Sequence, residues 1–244
     1  MLELGLLDET LDGSYFHVNE SFKSNILMPS HDTFIKIFTD HVPNKILVRK
    51  ERILRALYFS KIHDKYQIIP EVYRLLYKKN GIFAGYTMAP FTGKRLDEFC
   101  ADISLVDTLI VFQNLEATIK TIHSHGFCLT DFNSDNILVS RDNTIKLIDI
   151  DSFCFINDTS SNMFGNYKYT CPYSKYVNQK YNSYSFYSLL IDTIFKMNLK
   201  DNKRSEILEK IMQEKSLTEP IKEKLVHFVN IQNKLKLQQL DYLF

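Results

Sequence analysis

Thr130-Asp131-Phe132-Asn133-Ser134-Asp135-Asn136-Ile137-Leu138, followed by Ile145-Lys146-Leu147-Ile148-Asp149, decides how the rest of the chain is read. An Asp, an Asn and a second Asp stand at spacings suited to holding metal-bound phosphates. Moving a phosphoryl group needs little covalent help and much positioning. A site for it therefore wants one carboxylate beside the attacking hydroxyl, and oxygen ligands for Mg²⁺. In that division of labour Asp131 orients the hydroxyl, Asn136 offers the metal an amide oxygen and Asp149 offers it a carboxylate. The runs Asn136 to Val139 and Thr144 to Ile148 are β-prone and enclose the polar turn Ser140-Arg141-Asp142-Asn143. A hairpin there brings Asn136 and Asp149 together.

Upstream, Thr33-Phe34-Ile35-Lys36-Ile37-Phe38 reads as an apolar strand carrying one Lys. From about Asn44 to Ser60, Val48, Glu51, Leu54, Leu57 and Tyr58 recur at three- and four-residue steps, which predicts a helix with Glu51 on its buried face as the counter-charge for Lys36. The other reading makes Lys36 a snorkelling edge-strand residue, and Glu51 one charge among Arg49, Lys50 and Arg52 on a wet face. Glu71 to Tyr77 and Ile82 to Met88 predict a hairpin turning through Asn80-Gly81. From Leu105 to His125 an apolar stripe of Leu109, Phe112, Ile119 and Ile122 predicts a packed helix closed by Gly126. Arg204 to Phe244 predicts two or three further helices.

The order and spacing of Asp131, Asn136 and Asp149 resemble the protein kinase superfamily, whose catalytic loop reads H-R-D-L-x-x-x-N and whose metal-binding turn begins D-F-G. The resemblance implies an α+β, two-lobed protein-kinase-like fold with a small antiparallel β-rich N-lobe and a larger α-helical C-lobe. Residues 1–244 then form a single kinase-like domain, with an N-lobe over 1–88, a hinge over 89–93 and a C-lobe over 94–244. Position by position, Asp131 falls on the catalytic Asp, Asn136 on the loop Asn and Asp149 on the metal-binding Asp. Lys36 falls on the strand lysine that reaches the α- and β-phosphates, with Glu51 its catalytic partner. Met88 is the gatekeeper by the same resemblance, and Ala89, Pro90 and Phe91 form the hinge. Pro90 has no N–H, so the Ala89 carbonyl and the Phe91 amide are the groups implied to hold adenine. Tyr184 to Ile191 resembles the buried central helix. The implied ligands are ATP and Mg²⁺, with Mn²⁺ as an alternative metal.

The chain departs from that pattern in several places. Val18-Asn19-Glu20-Ser21-Phe22-Lys23, where a glycine-rich loop belongs, has no glycine, so a phosphate approaches that backbone less freely. Phe34 replaces the small residue that roofs adenine. Leu129 and Thr130 replace His and Arg, which removes the usual clamp for a phosphorylated activation loop. Asn133 stands where many Ser/Thr kinases carry a Lys, and Asp151 replaces the Gly of D-F-G. The run Asp149-Ile150-Asp151-Ser152-Phe153 looks like a divergent group of bacterial kinase-like proteins and echoes phosphotransferases acting on aminoglycosides or choline. Asp151 reads equally as a further metal or water ligand or as a cap of the following turn. Asn157 to Asn162 and Tyr167 to Tyr173 occupy the activation-segment position, where only Pro172 aligns with Ala-Pro-Glu. Tyr173 stands in place of the Glu that pairs with a distant Arg, and Asn182 in place of an Asp. Tyr167, Tyr169, Tyr173, Tyr176 and Tyr181 read as a packed aromatic loop more than as a binding surface or an autophosphorylation site.

A chain of 244 residues with 45% hydrophobic content has enough material for one two-lobed domain. A net charge of +1 gives no general pull toward nucleic acid or a membrane surface. Cys100, Cys128, Cys154 and Cys171 show no C-x-x-C spacing, which predicts neither a zinc site nor a disulfide framework and favours a reduced, cytoplasmic setting. No apolar run reaches membrane-spanning length, and Met1 to Asp8 lacks the basic start of a secretory signal. Three functions are in play: a protein kinase acting on a protein hydroxyl, which the retained Lys36, Glu51, Asp131, Asn136 and Asp149 favour; a phosphotransferase with a small-molecule acceptor; and a non-catalytic kinase-like binding module.

Overall fold

The structure is a computed structural model that describes residues 3–6, 19–21, 24–30, 33–39, 41–78, 80–156, 158, 166–231 and 234–243. The chain divides into two units, Met1–Thr92 and Gly93–Phe244. In the first, six described strands pair into one sheet: β1 (Glu3–Leu6), β2 (Asn19–Ser21), β3 (Ser24–Ser30), β4 (Thr33–Phe38), β5 (Val72–Tyr77) and β6 (Phe83–Met88), in the order β1-β5-β6-β4-β3-β2. All neighbours run antiparallel except β1 and β5, which are parallel. Of the glycine-free stretch Val18 to Lys23, Asn19–Ser21 is β2 and the remainder lies outside the described residues.

The β5–β6 hairpin turns where Asn80-Gly81 directs. Gly81 sits at φ +80 with its N–H on the Lys78 carbonyl at 2.8 Å, and the Asn80 side chain accepts from Ile82 N at 3.1 Å. Farther along β6, Gly85 lies against the backbone of β4, where an added Cβ would meet the Lys36 carbonyl at 2.1 Å. Any larger residue forces the two strands apart exactly where Lys36 pairs with Tyr86.

Helix α1 (Asn44–Ser60) packs on β5 and β6, and a short α2 (Ile62–Tyr66) follows it. The buried face of α1 is Leu47, Ile53, Leu54 and Leu57, whereas Val48 is 63% exposed. The expected stripe is therefore corrected at its first member. Ile46, Leu47 and Val48 are consecutive apolar residues, so spacing alone leaves the register open by one residue, and packing on the sheet selects Leu47.

The second unit opens with β7 (Lys94–Arg95), α3 (Leu96–Ala101) and α4 (Leu105–Ser124). It continues through β8 (Phe127–Cys128), β9 (Ile137–Val139), β10 (Ile145–Leu147) and β11 (Cys154–Phe155) to α5 (Gln179–Phe195), α6 (Arg204–Gln213), α7 (Glu219–Val229) and α8 (Lys234–Gln238). Two small antiparallel sheets, β10-β9-β7 and β11-β8, lie among these helices. The Ser104 hydroxyl caps α4 by accepting from Asp107 N at 3.1 Å. Val111, Phe112, Leu115, Ile119 and Ile122 of α4 are fully buried, and Phe112 meets Phe186 of α5 edge-on at 5.6 Å. Helix α5 is buried nearly all round. An unpaired buried polar group costs about 1–3 kcal/mol, and several polar residues of α5 are paired. Ser183 donates to Gln179 O at 3.1 Å, Ser185 to Tyr169 O at 2.8 Å, and Asn182 bonds into the loop described below.

The fold is thus mixed helix and sheet of the α+β class. Among the described residues, no helix is long and apolar enough to cross a membrane.

Candidate functional site

In the second unit the stretch Leu129 to Asp151 folds back on itself. Asn133 is the N-cap of a single 3-10 turn, Ser134–Asn136, with its Oδ1 accepting from Asp135 N at 2.9 Å and Asn136 N at 3.2 Å. The turn swings the Asn136 side chain back onto Asp131, where Nδ2 donates to the carbonyl at 3.0 Å and to Oδ2 at 3.1 Å. With its nitrogen committed to two acceptors, the amide has a fixed sense, and its Oδ1 accepts no hydrogen bond among the described residues. Asp131 Oδ1 in turn accepts from Asn133 Nδ2 at 2.9 Å and from the Asn166 backbone amide at 3.1 Å.

β9 and β10 pair with Ile137 opposite Leu147, and Ile148 N extends the ladder by donating to Asn136 O at 3.0 Å. Asp149 follows immediately, in the left-handed region at φ 60, ψ 38, and starts a second 3-10 turn, Ile150–Ser152. Left-handed backbone is uncommon for residues other than Gly, but Asp and Asn tolerate it best. Asp151 is buried inside that turn. The Thr130 hydroxyl donates to the Ser152 carbonyl, tying the loop that carries Asp131 to the turn that follows Asp149. On the solvent side, Arg95 of β7 holds Asp135 at 2.9 Å.

The loop is anchored from beneath by α5. Asn182, completely buried, accepts from Leu129 N at 3.0 Å through Oδ1 and donates to Leu129 O at 2.6 Å through Nδ2. A carboxylate could accept the first bond but not donate the second. His123 Nε2 lies 3.0 Å from the same Oδ1. Since that oxygen is an acceptor, Nε2 carries the proton, and Nδ1 faces the Tyr242 hydroxyl at 3.5 Å. Burial lowers the His123 pKa, against a smaller upward pull from Asn182.

In the first unit Lys36 is buried on β4, with its ammonium 5.8 Å from the centre of the Phe38 ring. Phe34, two residues back on the same face, lies opposite Met88 and packs edge-on against Phe91 with ring centres 4.9 Å apart. The Ala89 N–H is committed to Glu71 O at 2.8 Å, while the Ala89 carbonyl and the Phe91 N–H carry no hydrogen bond among the described residues. Glu51 is placed differently from the expectation that pairs it with Lys36. Its Oε1 is held by Arg55 at 2.9 Å, one turn along α1, and by the Tyr77 hydroxyl at 2.5 Å. Burial, reinforced by Glu51, pushes the Tyr77 phenol up to about 12.

The fold therefore joins Asp131 and Asn136 by hydrogen bonds, places Asp149 one residue past the Ile148–Asn136 ladder bond, and sets Met88 and Phe91 around Phe34, but gives Glu51 to Arg55 and Tyr77. An amide oxygen and a carboxylate one residue beyond a shared ladder bond are hard donors of the kind Mg²⁺ or Mn²⁺ takes. Three supporting residues escaped the sequence reading. Asn133 had a legible signal, since an Asn two residues before further polar groups favours a capped turn. Thr130 and Asn182 had none, because each acts on a partner more than twenty residues away. The Arg204 guanidinium donates to the Tyr173 hydroxyl at 3.1 Å. Of the five clustered tyrosines, Tyr169 and Tyr181 are buried, Tyr173 is half-buried, and Tyr167 and Tyr176 are exposed. Asn157 to Asn162, apart from Asp158, lies outside the described residues. Compared with known proteins, the chain matches no family model and no curated protein.

Proposed function

We propose that this chain is an ATP- and Mg²⁺-dependent phosphotransferase with a two-lobed kinase-like fold, transferring the γ-phosphoryl group to a hydroxyl of a protein. The observation that carries this reading is the Asp131–Asn136 pair. One amide nitrogen clamps the carboxylate, the amide oxygen accepts no hydrogen bond among the described residues and would serve a cation, and the same residue's carbonyl fixes the strand leading to Asp149.

Asp131 accepts the hydrogen bond of the acceptor hydroxyl and holds its oxygen in line with the phosphoryl group. Asn136 and Asp149 would hold Mg²⁺, which when bound supplies positive charge to the phosphate oxygens. Lys36 contributes an ammonium to the nucleotide phosphates. The Ala89 carbonyl and Phe91 amide supply the acceptor and donor that an adenine edge needs.

The test is γ-labelled ATP with the full chain and Mg²⁺, with label expected in protein. Asp131→Ala is expected to reduce transfer by about 10²–10⁴-fold and to keep the thermal shift given by MgATP. Asp149→Asn, which tolerates the left-handed backbone, is expected to lose that shift. Label in a small molecule instead would move the acceptor class, and absence of both shift and label would leave a non-catalytic module.

A further inference from the structure

The Asn133 amide is spent inside the loop. Both acceptor positions of its Oδ1 are taken by Asp135 N and Asn136 N, and its Nδ2 is on Asp131 Oδ1 at 2.9 Å. The side chain is 7% exposed. Reversing the amide would set its oxygen against a carboxylate oxygen and its NH₂ against two N–H groups, so only one orientation is allowed.

The consequence for Asp131 follows by counting lone pairs. Oδ1 has two positions, filled by Asn133 Nδ2 and the Asn166 amide. Oδ2 has two, one of which is filled by Asn136 Nδ2. Among the described residues, a single position is left on Oδ2, beside Asn136.

We propose that Asn133 is the positioning residue for Asp131: it caps the 3-10 turn with one end of its amide and fixes the plane of the carboxylate with the other, so that the acceptor hydroxyl is received at Oδ2, on the Asn136 side. This rests on the phosphotransfer reading above. It also explains the departure at this position. An amide satisfies the turn and the carboxylate together, whereas a lysine ammonium has donors only and cannot cap the turn.

The test separates capping from positioning with two variants that both cap turns well. Asn133→Ser keeps an acceptor for the turn amides and removes the donor to Asp131. Asn133→Asp keeps the cap and sets a second carboxylate against the first. With MgATP as the probe and the full chain, both variants are expected to keep KM for MgATP within about 3-fold. kcat is expected to fall about 10-fold in Asn133→Ser and about 100-fold in Asn133→Asp, the scale of losing an oriented catalytic group. Wild-type kcat in both variants, or a kcat loss that only follows loss of folded protein in a thermal melt, overturns the proposal. A readout independent of turnover is the Asn133 side-chain amide resonance in the NMR spectrum. It is expected to shift in Asp131→Ala, and a resonance that does not move overturns the contact itself. An unsubstituted chain that turns over no MgATP while this resonance does shift overturns the phosphotransfer reading, and the catalytic part of this proposal with it.

Discussion

The loop cluster of the second unit and the α1 face of the first were both expected to bring charged groups together, and they differ in how far the chain must travel to do it. Asp131, Asn133, Asn136 and Asp149 lie within one short stretch, and their contacts are made by two tight turns and one hairpin. Lys36 and Glu51 belong to a strand and a helix whose register depends on packing. There, Arg55 one turn along and Tyr77 across the sheet hold the carboxylate. Local geometry is set by residue type and spacing, whereas a partner across elements must compete with every other group the fold brings near.

The largest expected effect breaks the well-anchored side of that comparison. Asn182→Leu keeps the volume and removes the amide, leaving the Leu129 N–H and C=O and the His123 Nε2–H unpaired in the core. At about 1–3 kcal/mol for each of the three stranded groups, the second unit should lose roughly 3–9 kcal/mol in urea unfolding. A loss under about 1 kcal/mol would mean that the loop is held by its own turns alone.

A smaller effect sharpens the other side. Because the Glu51 carboxylate serves a partly exposed i,i+4 pair and a phenol, Glu51→Gln should cost about 1 kcal/mol or less in thermal unfolding. MgATP affinity should then change little, while Lys36→Met loses it. If the two substitutions weaken MgATP equally, Glu51 works through Lys36 after all.

The smallest effect is a pH slope. The folded pKa of His123 lies below its ordinary value, so the unfolded chain binds the extra proton first as pH falls. The stabilisation is full above about pH 6.5 and declines below it, at no more than about 1.4 kcal/mol per pH unit. His123→Gln, which can still donate to Asn182, should remove that part of the slope in unfolding curves measured from pH 7.5 downward.

Much of this was legible from the chain. The Asn80-Gly81 hairpin, the helix from Asn44 to Ser60 and the β9–β10 pairing all follow from short-range rules, because turn chemistry and side-chain period act over a few residues. The Val48 reading failed where three consecutive apolar residues left the helix register undecided. The role of Asn133 was present in the letters, but its second contact, on the Asp131 carboxylate, appears only once the turn is built.

By itself the sequence determined the α+β class, the main strands and helices, and the hairpin that carries Asn136 at one end and Asp149 just past the other, since those depend on neighbours along the chain. Tertiary structure alone decided that Asn182 and His123 hold the loop at Leu129, that Thr130 ties it to Ser152, that Gly85 lets β6 lie against β4, and that Glu51 answers to Arg55 and Tyr77. Each of these pairs residues brought together by packing, where close approach and burial select the partner and leave no trace in spacing.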